Sequence, residues 1–242
     1  APRRAERGVD GRRQPVGLVS VWIPIGGKKG GLLHRQAGNI FITSMLTTGL
    51  IATGISIATL INPTGTHPHL SSHELFQNPD MIAGIFGWMM LYLATLTINL
   101  AWHGWLCMRN KRDHQKNGAW HNLLLQAILT ATSANCFARG VALEQPMMMG
   151  IAFVGLATVA TNLWFIYRQP ASPKTRIKEP ITSLVGAGIS VYTAFFAFGA
   201  VRLLPELALT PGLWAVPLVT GLALIIYHQR AVMTPSRQTQ LT

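Results

Sequence analysis

The chain has 242 residues, of which 49% are hydrophobic and only 12% are charged, and its mean hydropathy is +0.31. Soluble domains carry about 25% charged residues, so this composition excludes a disordered chain and an ordinary soluble enzyme and indicates a membrane protein. Two cysteines, Cys107 and Cys136, are too few for a disulfide-rich secreted domain.

Residues 1–37 form a basic N-terminal segment that contains one apolar stretch, residues 16–25. A spanning helix needs about 20 apolar residues, so this stretch is predicted to lie in the membrane interface, with Trp22 at headgroup depth. Residues 1–17 are rich in Arg and contain no long apolar region, which argues against a secretory signal peptide.

Six apolar segments follow, and each is predicted to be a membrane-spanning helix. They cover residues 38–61, 81–108, 119–143, 147–167, 181–204 and 212–228. Asn, Pro and Gly residues separate them, and Asp80 is predicted to cap the second helix. The expected organisation is therefore a six-helix transmembrane domain over residues 38–230, followed by a cytoplasmic tail over residues 231–242.

The net charge of +12 is unevenly distributed between the two sides of this predicted bundle. All of the basic residues except Arg139 and Arg202 lie on the side of the N-terminus. Because Lys and Arg accumulate on the cytoplasmic side, we predict an all-α, polytopic transmembrane bundle with both termini in the cytoplasm. The expected location is a bacterial inner membrane, with the lipid bilayer and other membrane subunits as partners and without nucleic acid.

Four histidines are predicted to lie near the inner ends of their helices. They are His34, His103, His121 and His228. Imidazoles on facing helices hold haem and metals in helical bundles, so one hypothesis is a site for haem b or a metal, with His103 and His121 as the best pair. The alternatives are interfacial residues at headgroup depth, or groups that sense pH or transfer protons.

The outer loop between the first two helices contains His67, His69 and His73, followed by Glu74. Three imidazoles and a carboxylate are suitable ligands for Zn²⁺ or Cu²⁺. The alternative interpretation is an exposed polar loop, because short histidine tracts are common and unspecific.

Arg139 and Arg202 lie near the outer ends of their predicted helices, and each is followed by an acidic residue, Glu144 or Glu206. The guanidinium fork suits an anionic ligand or a lipid phosphate. Alternatively, these side chains reach the headgroups or form structural pairs with the two glutamates.

Many Thr, Ser, Asn and Gln residues lie within the predicted helices and are expected to form hydrogen bonds between helices. None of the six segments contains Asp or Glu, which disfavours proton-coupled transport. The sequence also has no nucleotide-binding loop, no nucleophile elbow and no zinc-protease motif.

The segment from Lys29 to Gly38 reads K-G-G-L-L-H-R-Q-A-G and leads directly into the first spanning helix. It resembles the start of an uncharacterised family of bacterial predicted membrane proteins, defined by a domain of unknown function with the pattern K-G-G-x-x-H-R-x-x-G. The resemblance implies several spanning helices with basic cytoplasmic loops and carries no known activity.

Three functional hypotheses follow from these patterns. The first is an accessory or scaffold membrane protein without catalytic activity. The second is a haem- or metal-binding electron-transfer protein that uses the inner histidines. The third is a transporter or lipid-binding protein that uses Arg139 and Arg202.

Overall fold

A computed structural model describes residues 31–70, 76–168, 173–203 and 211–233. The helices within these ranges are α1 (Leu32–Ile61), α2 (Pro63–Thr66), α3 (Pro79–Arg109), α4 (Trp120–Ala142), α5 (Pro146–Tyr167), α6 (Pro173–Leu203) and α7 (Pro211–Met233). Short 3₁₀ turns occur at Pro68–Leu70 and His114–Gly118. The predicted interfacial stretch, residues 16–25, lies outside the described residues.

Each of the six predicted segments coincides with one long helix, but three boundaries differ clearly from prediction. Helix α1 begins at Leu32 rather than residue 38, α6 begins at Pro173 rather than residue 181, and α7 continues to Met233. Proline suits the first turn of a helix because its missing N–H needs no partner there. Pro173 and Pro180 were predicted to lie in the loop before the fifth helix, and this was wrong, because both lie within α6.

Helix α3 begins with Asn78 as its N-cap, and not with Asp80 as predicted. The Asn78 side chain accepts a hydrogen bond of 2.9 Å from the Asp80 backbone N–H. Ala83–Met89 then form a π-helical segment, after which the helix is α-helical to Arg109. Asp80 lies in the first turn, where its negative charge favours the N-terminal end of the helix dipole.

Three described helices are long and apolar enough to cross a membrane, judged by length and composition. They are His34–Ile61, Pro79–Arg109 and Pro146–Tyr167, and Val216–Tyr227 is a shorter apolar helical stretch. Helices α4 and α6 are less apolar along their length than these three. The protein is thus an all-helical chain with at least these three candidate membrane spans.

Helix α3 lies at the centre of the described helices, where it packs against α1, α4 and α6. Small residues permit these close contacts. A Cβ atom added at Gly49 of α1 would collide with Ile98 of α3, and one at Gly104 of α3 would lie 3.0 Å from Leu184 of α6. Helix α5 packs on α4, and α7 packs on α6.

The hydroxyl groups in the helices mostly bond within their own helix, contrary to the expectation of bonds between helices. Thr53, Thr95 and Thr158, for example, each donate to the carbonyl four residues earlier, at 2.8 Å. This local bond satisfies the hydroxyl in an apolar environment without a partner helix. Thr97 and Ser190 are an exception, because their hydroxyl oxygens lie 2.8 Å apart across α3 and α6.

A very short turn joins α4 to α5, as the sequence predicted, and packs the two helices side by side. Glu144 in this turn has a φ of +53°, in the left-handed region that favours glycine. The Gln145 N–H donates to the Gly140 carbonyl at 2.8 Å and closes the turn.

Glu144→Gly is expected to raise the free energy of unfolding by about 0.5–1 kcal/mol, because glycine adopts the left-handed conformation without steric cost. Thermal unfolding in mild detergent measures the change. Gln145→Gly is the matched control, since its φ of −104° is ordinary, and it is expected to give no gain. A loss of stability in Glu144→Gly would contradict the prediction.

Candidate functional site: a buried polar column

The most buried titratable side chain among the predicted site residues is His103, in the C-terminal half of α3, with 0% exposure. Its Nε2 atom lies 3.4 Å from a carboxylate oxygen of Glu179 and 3.5 Å from the sulfur of Cys107. Its Nδ1 atom lies 3.4 Å from the Asn122 amide nitrogen. Both ring nitrogens therefore have polar neighbours within the protein.

Glu179 reaches His103 because α6 begins before residue 179 and runs antiparallel to α3. Ser190 of α6 lies opposite Thr97, and Ser183 lies against Gly104. The next turn towards the start of α6 therefore places Glu179 beside the end of α3. The fifth helix was predicted to begin at residue 181, which left Glu179 in the preceding loop, whereas the structure includes Glu179 in α6.

The loop between α3 and α4 is tied to the same cluster by asparagines. Asn122 donates to the Asn117 carbonyl at 2.8 Å, and Asn110 donates to the Asn117 side chain at 3.0 Å. The ring of Phe165 from α5 packs edge-on against His103 and His114, with centroids 5.9 Å and 4.8 Å apart. These contacts fix the inner ends of α3, α4 and α5 relative to one another.

Three amides from three helices meet one turn deeper in the bundle. The Asn162 amide nitrogen on α5 donates to Asn99 of α3 at 3.0 Å and to Gln126 of α4 at 3.3 Å. All three residues are buried. Buried amides in an apolar interior require partners, and these three supply some of one another's hydrogen bonds.

We call the buried polar residues around His103 and Asn162 the polar column. It consists of Asn99, His103, Cys107, Asn122, Gln126, Asn162 and Glu179. On α3 and on α4 the members are spaced by four residues, which places them on one face of each helix. That spacing is visible in the sequence and could have predicted the members on α3 and α4. The contact of Glu179 with His103 could not be predicted in this way, because it depends on where α6 begins and which helix it packs against.

The other inner histidines occupy different surroundings from His103. His121 in the first turn of α4 packs edge-on against Trp102 and Trp120, at 5.8 Å and 5.9 Å. One residue on a helix turns by about 100°, so Asn122 rather than His121 faces His103. His34 lies in the first turn of α1 with Nδ1 buried, and the side chain of His228 lies outside the described residues.

The outer-loop histidines are described only in part. The Nε2 atom of His67 lies 3.2 Å from the Thr59 hydroxyl, and its ring packs against Phe86 with centroids 4.7 Å apart. The side chain of His69 and all of His73 lie outside the description. Across the described ranges, no three or more His, Cys, Asp or Glu side chains are arranged to hold a metal ion.

Arg139 is exposed near the outer end of α4, and its guanidinium carbon lies 5.4 Å from the ring centre of Trp88 on α3. This cation–π contact suits an arginine at the membrane interface. The side chain of Arg202 in α6 is not among those described. The proposed use of both arginines for a ligand or lipid therefore stays a prediction.

The polar column places an imidazole, a carboxylate and a thiol beside one another within the helices. For His103 to bind haem iron or a metal, a ring nitrogen would have to leave its present neighbour. Comparison of the chain with protein-family models, curated proteins and solved structures finds no match, so the resemblance carried by the K-G-G segment stays a prediction.

Proposed function

We propose that this protein is a multi-pass integral protein of a bacterial inner membrane that acts as an accessory or scaffold subunit. In this proposal all six long helices cross the bilayer and both termini are cytoplasmic. The uneven distribution of basic residues supports this orientation, with Arg139 and Arg202 alone on the outer side.

Reporter fusions test the proposed orientation. Alkaline phosphatase is active only outside the cytoplasm, so a fusion after Glu144 is expected to be active and a fusion after Lys116 inactive. A green fluorescent protein fusion at the same two positions is expected to give the reverse result. Equal activity at both positions would contradict the six-crossing topology.

The observation that carries the scaffold proposal is the outward face of α1. This α1 outer face is formed by small residues flanked by larger apolar ones, all exposed: Thr43, Thr47, Leu50, Gly54, Ala58 and Ile61. A Cβ atom added at Gly54 would meet nothing within 4 Å. Glycine lowers helix stability by about 1 kcal/mol relative to alanine, and none of the described residues uses the space that Gly54 leaves.

Small residues on an apolar helix allow a second membrane helix to approach closely, and van der Waals packing drives such contacts. The α1 outer face therefore fits a transmembrane helix of another membrane protein. Helix α5 also presents an open glycine, Gly150, which supplies a comparison position outside the α1 outer face.

Photo-crosslinking from a benzophenone amino acid at Thr47 tests this interaction in intact membranes. The expected result is a discrete adduct with another membrane protein, identified by mass spectrometry. Gly54→Leu is expected to abolish the adduct, whereas Gly150→Leu on α5 is the matched control and should retain it. Adducts with lipid alone, or with a second copy of this chain alone, would overturn the accessory-subunit proposal.

A further inference from the structure

Helix α5 ends in a stacked pair of side chains, one basic and one aromatic. Its C-cap residue is Arg168, whose backbone is extended, with a φ of −83° and a ψ of 131°. The chain therefore leaves the helix at this residue, while the Arg168 side chain stays over the last turn. Its guanidinium carbon lies 5.8 Å from the ring centre of Trp164, four residues earlier. This cation–π contact holds the positive charge beside the apolar helix.

The side chains around this pair are exposed and border an open cleft. Trp164 is 67% exposed and Tyr167 is 72% exposed. Together with Leu163 and Arg168 they line the cleft. Because α5 is a candidate membrane span that ends at Tyr167, the cleft lies where an apolar helix meets the lipid headgroups.

The chemistry of the cleft fits an anion that carries a hydrocarbon chain. Its polar groups are hydrogen-bond donors: the Arg168 guanidinium, the Trp164 indole N–H and the Tyr167 hydroxyl. Among the described residues, Arg168 forms no ion pair with a carboxylate. A guanidinium fork binds phosphate through two parallel hydrogen bonds, and Leu163 adds apolar surface beside these donors.

The surroundings of the cleft are basic as well. Phe165 of α5 packs against His114 in the loop after α3, with ring centroids 4.8 Å apart, so this loop lies at the same end of the bundle. The described acidic residues at this end already have partners, since Asp113 pairs with a lysine of its own loop and Glu179 contacts His103. The end of α3 and the loop contribute the basic residues Arg109, Lys111, Arg112 and Lys116. Such a surface attracts anionic lipids.

A second stacked pair, on α3, shows what distinguishes the pair on α5. The guanidinium carbon of Arg109 lies 5.0 Å from the ring centre of Trp105, at the same spacing of four residues. However, Trp105 is partly buried and packs against Trp102, with ring centroids 5.0 Å apart. The ring of Trp164 is mostly exposed, so a ligand can reach both the ring and the guanidinium on α5.

We propose that the cleft at the end of α5 binds an anionic phospholipid, with the lipid phosphate at Arg168 and an acyl chain along Leu163 and Trp164. The chemistry recognised is a phosphate group joined to a hydrocarbon chain. The leaflet in which α5 ends supplies this lipid. The site is independent of the partner proposed for α1 and of the direction in which α5 crosses the membrane.

Native mass spectrometry of the full chain in mild detergent tests this proposal with two lipids as probes. Phosphatidylglycerol and phosphatidylcholine with identical acyl chains both contain a phosphate, but only phosphatidylglycerol has a net negative charge. The first phosphatidylglycerol is expected to bind about tenfold more tightly than phosphatidylcholine, because a choline cation does not compete with Arg168 for its phosphate.

Arg168→Gln is expected to weaken the binding of phosphatidylglycerol about tenfold and to remove the preference over phosphatidylcholine. Arg112→Gln is the matched control, since it removes the same charge from an exposed position in the loop at this end. It should leave the affinity within about twofold, because salt screens an exposed charge outside the cleft. Circular dichroism confirms that each variant is folded.

Equal losses of affinity in Arg168→Gln and Arg112→Gln would overturn the site, because the lipid would then follow the overall charge of this surface. An unchanged affinity in Arg168→Gln would overturn it as well. Displacement of the bound lipid by excess glycerol 3-phosphate would assign the cleft to a soluble phosphate and overturn the lipid. None of these outcomes depends on whether α1 binds a partner, so the two proposals fail separately.

Discussion

Gly155→Ala is expected to lower the free energy of unfolding by about 1–3 kcal/mol, because the added methyl group has no space. A Cβ atom at Gly155 of α5 would collide with the Ser133 hydroxyl and would lie 2.6 Å from the Tyr92 ring. Tyr92 is fully buried and held by its hydrogen bond to the Ile151 carbonyl, so it has little freedom to move. Helices α3, α4 and α5 would have to separate to accept the side chain.

Gly150→Ala on the same helix is the matched control, since a Cβ atom there meets nothing within 4 Å. Alanine has the higher helix propensity, so this variant is expected to be neutral or more stable by up to about 1 kcal/mol. Thermal unfolding of both variants in one detergent measures the difference. Equal effects of the two substitutions would show that α5 does not pack through Gly155 as described.

Asn162→Leu is expected to lower the free energy of unfolding by about 2–4 kcal/mol. The substitution keeps the approximate size of the side chain but removes the donor that serves both Asn99 and Gln126. Two buried carbonyl oxygens then lose their described partner, at about 1–3 kcal/mol each. Leucine also fills the space of the amide with apolar atoms, so water cannot replace the lost N–H group.

Asn135→Leu on α4 is the control, because the Asn135 side-chain oxygen is buried without a described partner and its removal breaks no bond to another helix. This variant is expected to be neutral or stabilising. Replacing Asn99, Gln126 and Asn162 together by leucine should recover most of the loss, because no polar atom of the set is then left unsatisfied. A triple variant less stable than Asn162→Leu would contradict this explanation.

Much of the helical architecture could be predicted from the composition of the chain and from the residues that separate its apolar segments. Long apolar segments can satisfy their backbone groups only as helices in a membrane, and the Asn, Pro and Gly residues between them mark the turns. The short turn at Glu144, between the third and fourth predicted segments, is one example, since it joins two neighbouring helices, α4 and α5, as expected. The sequence therefore predicted the approximate positions of the long helices that the structure describes.

The composition of the candidate site was predicted only in part. His103 was a predicted site residue and is buried in the structure, but His121 was paired with it on the basis of membrane depth alone. The depth of a residue in the membrane can be estimated from its position along the helix. The direction of its side chain also depends on how the helix is rotated about its axis. That rotation brings Asn122 to His103 and directs His121 towards Trp102.

The sequence by itself determined an all-helical, apolar chain with a strong charge asymmetry, because hydropathy and charge are local properties that add along the chain. Only the tertiary structure decided that Glu179 meets His103 and that Asn99, Gln126 and Asn162 form one amide cluster. These contacts join residues from different helices. They depend on which helices are neighbours, where each begins and how each is rotated, and the packing of small residues such as Gly104 and Gly155 sets these relations.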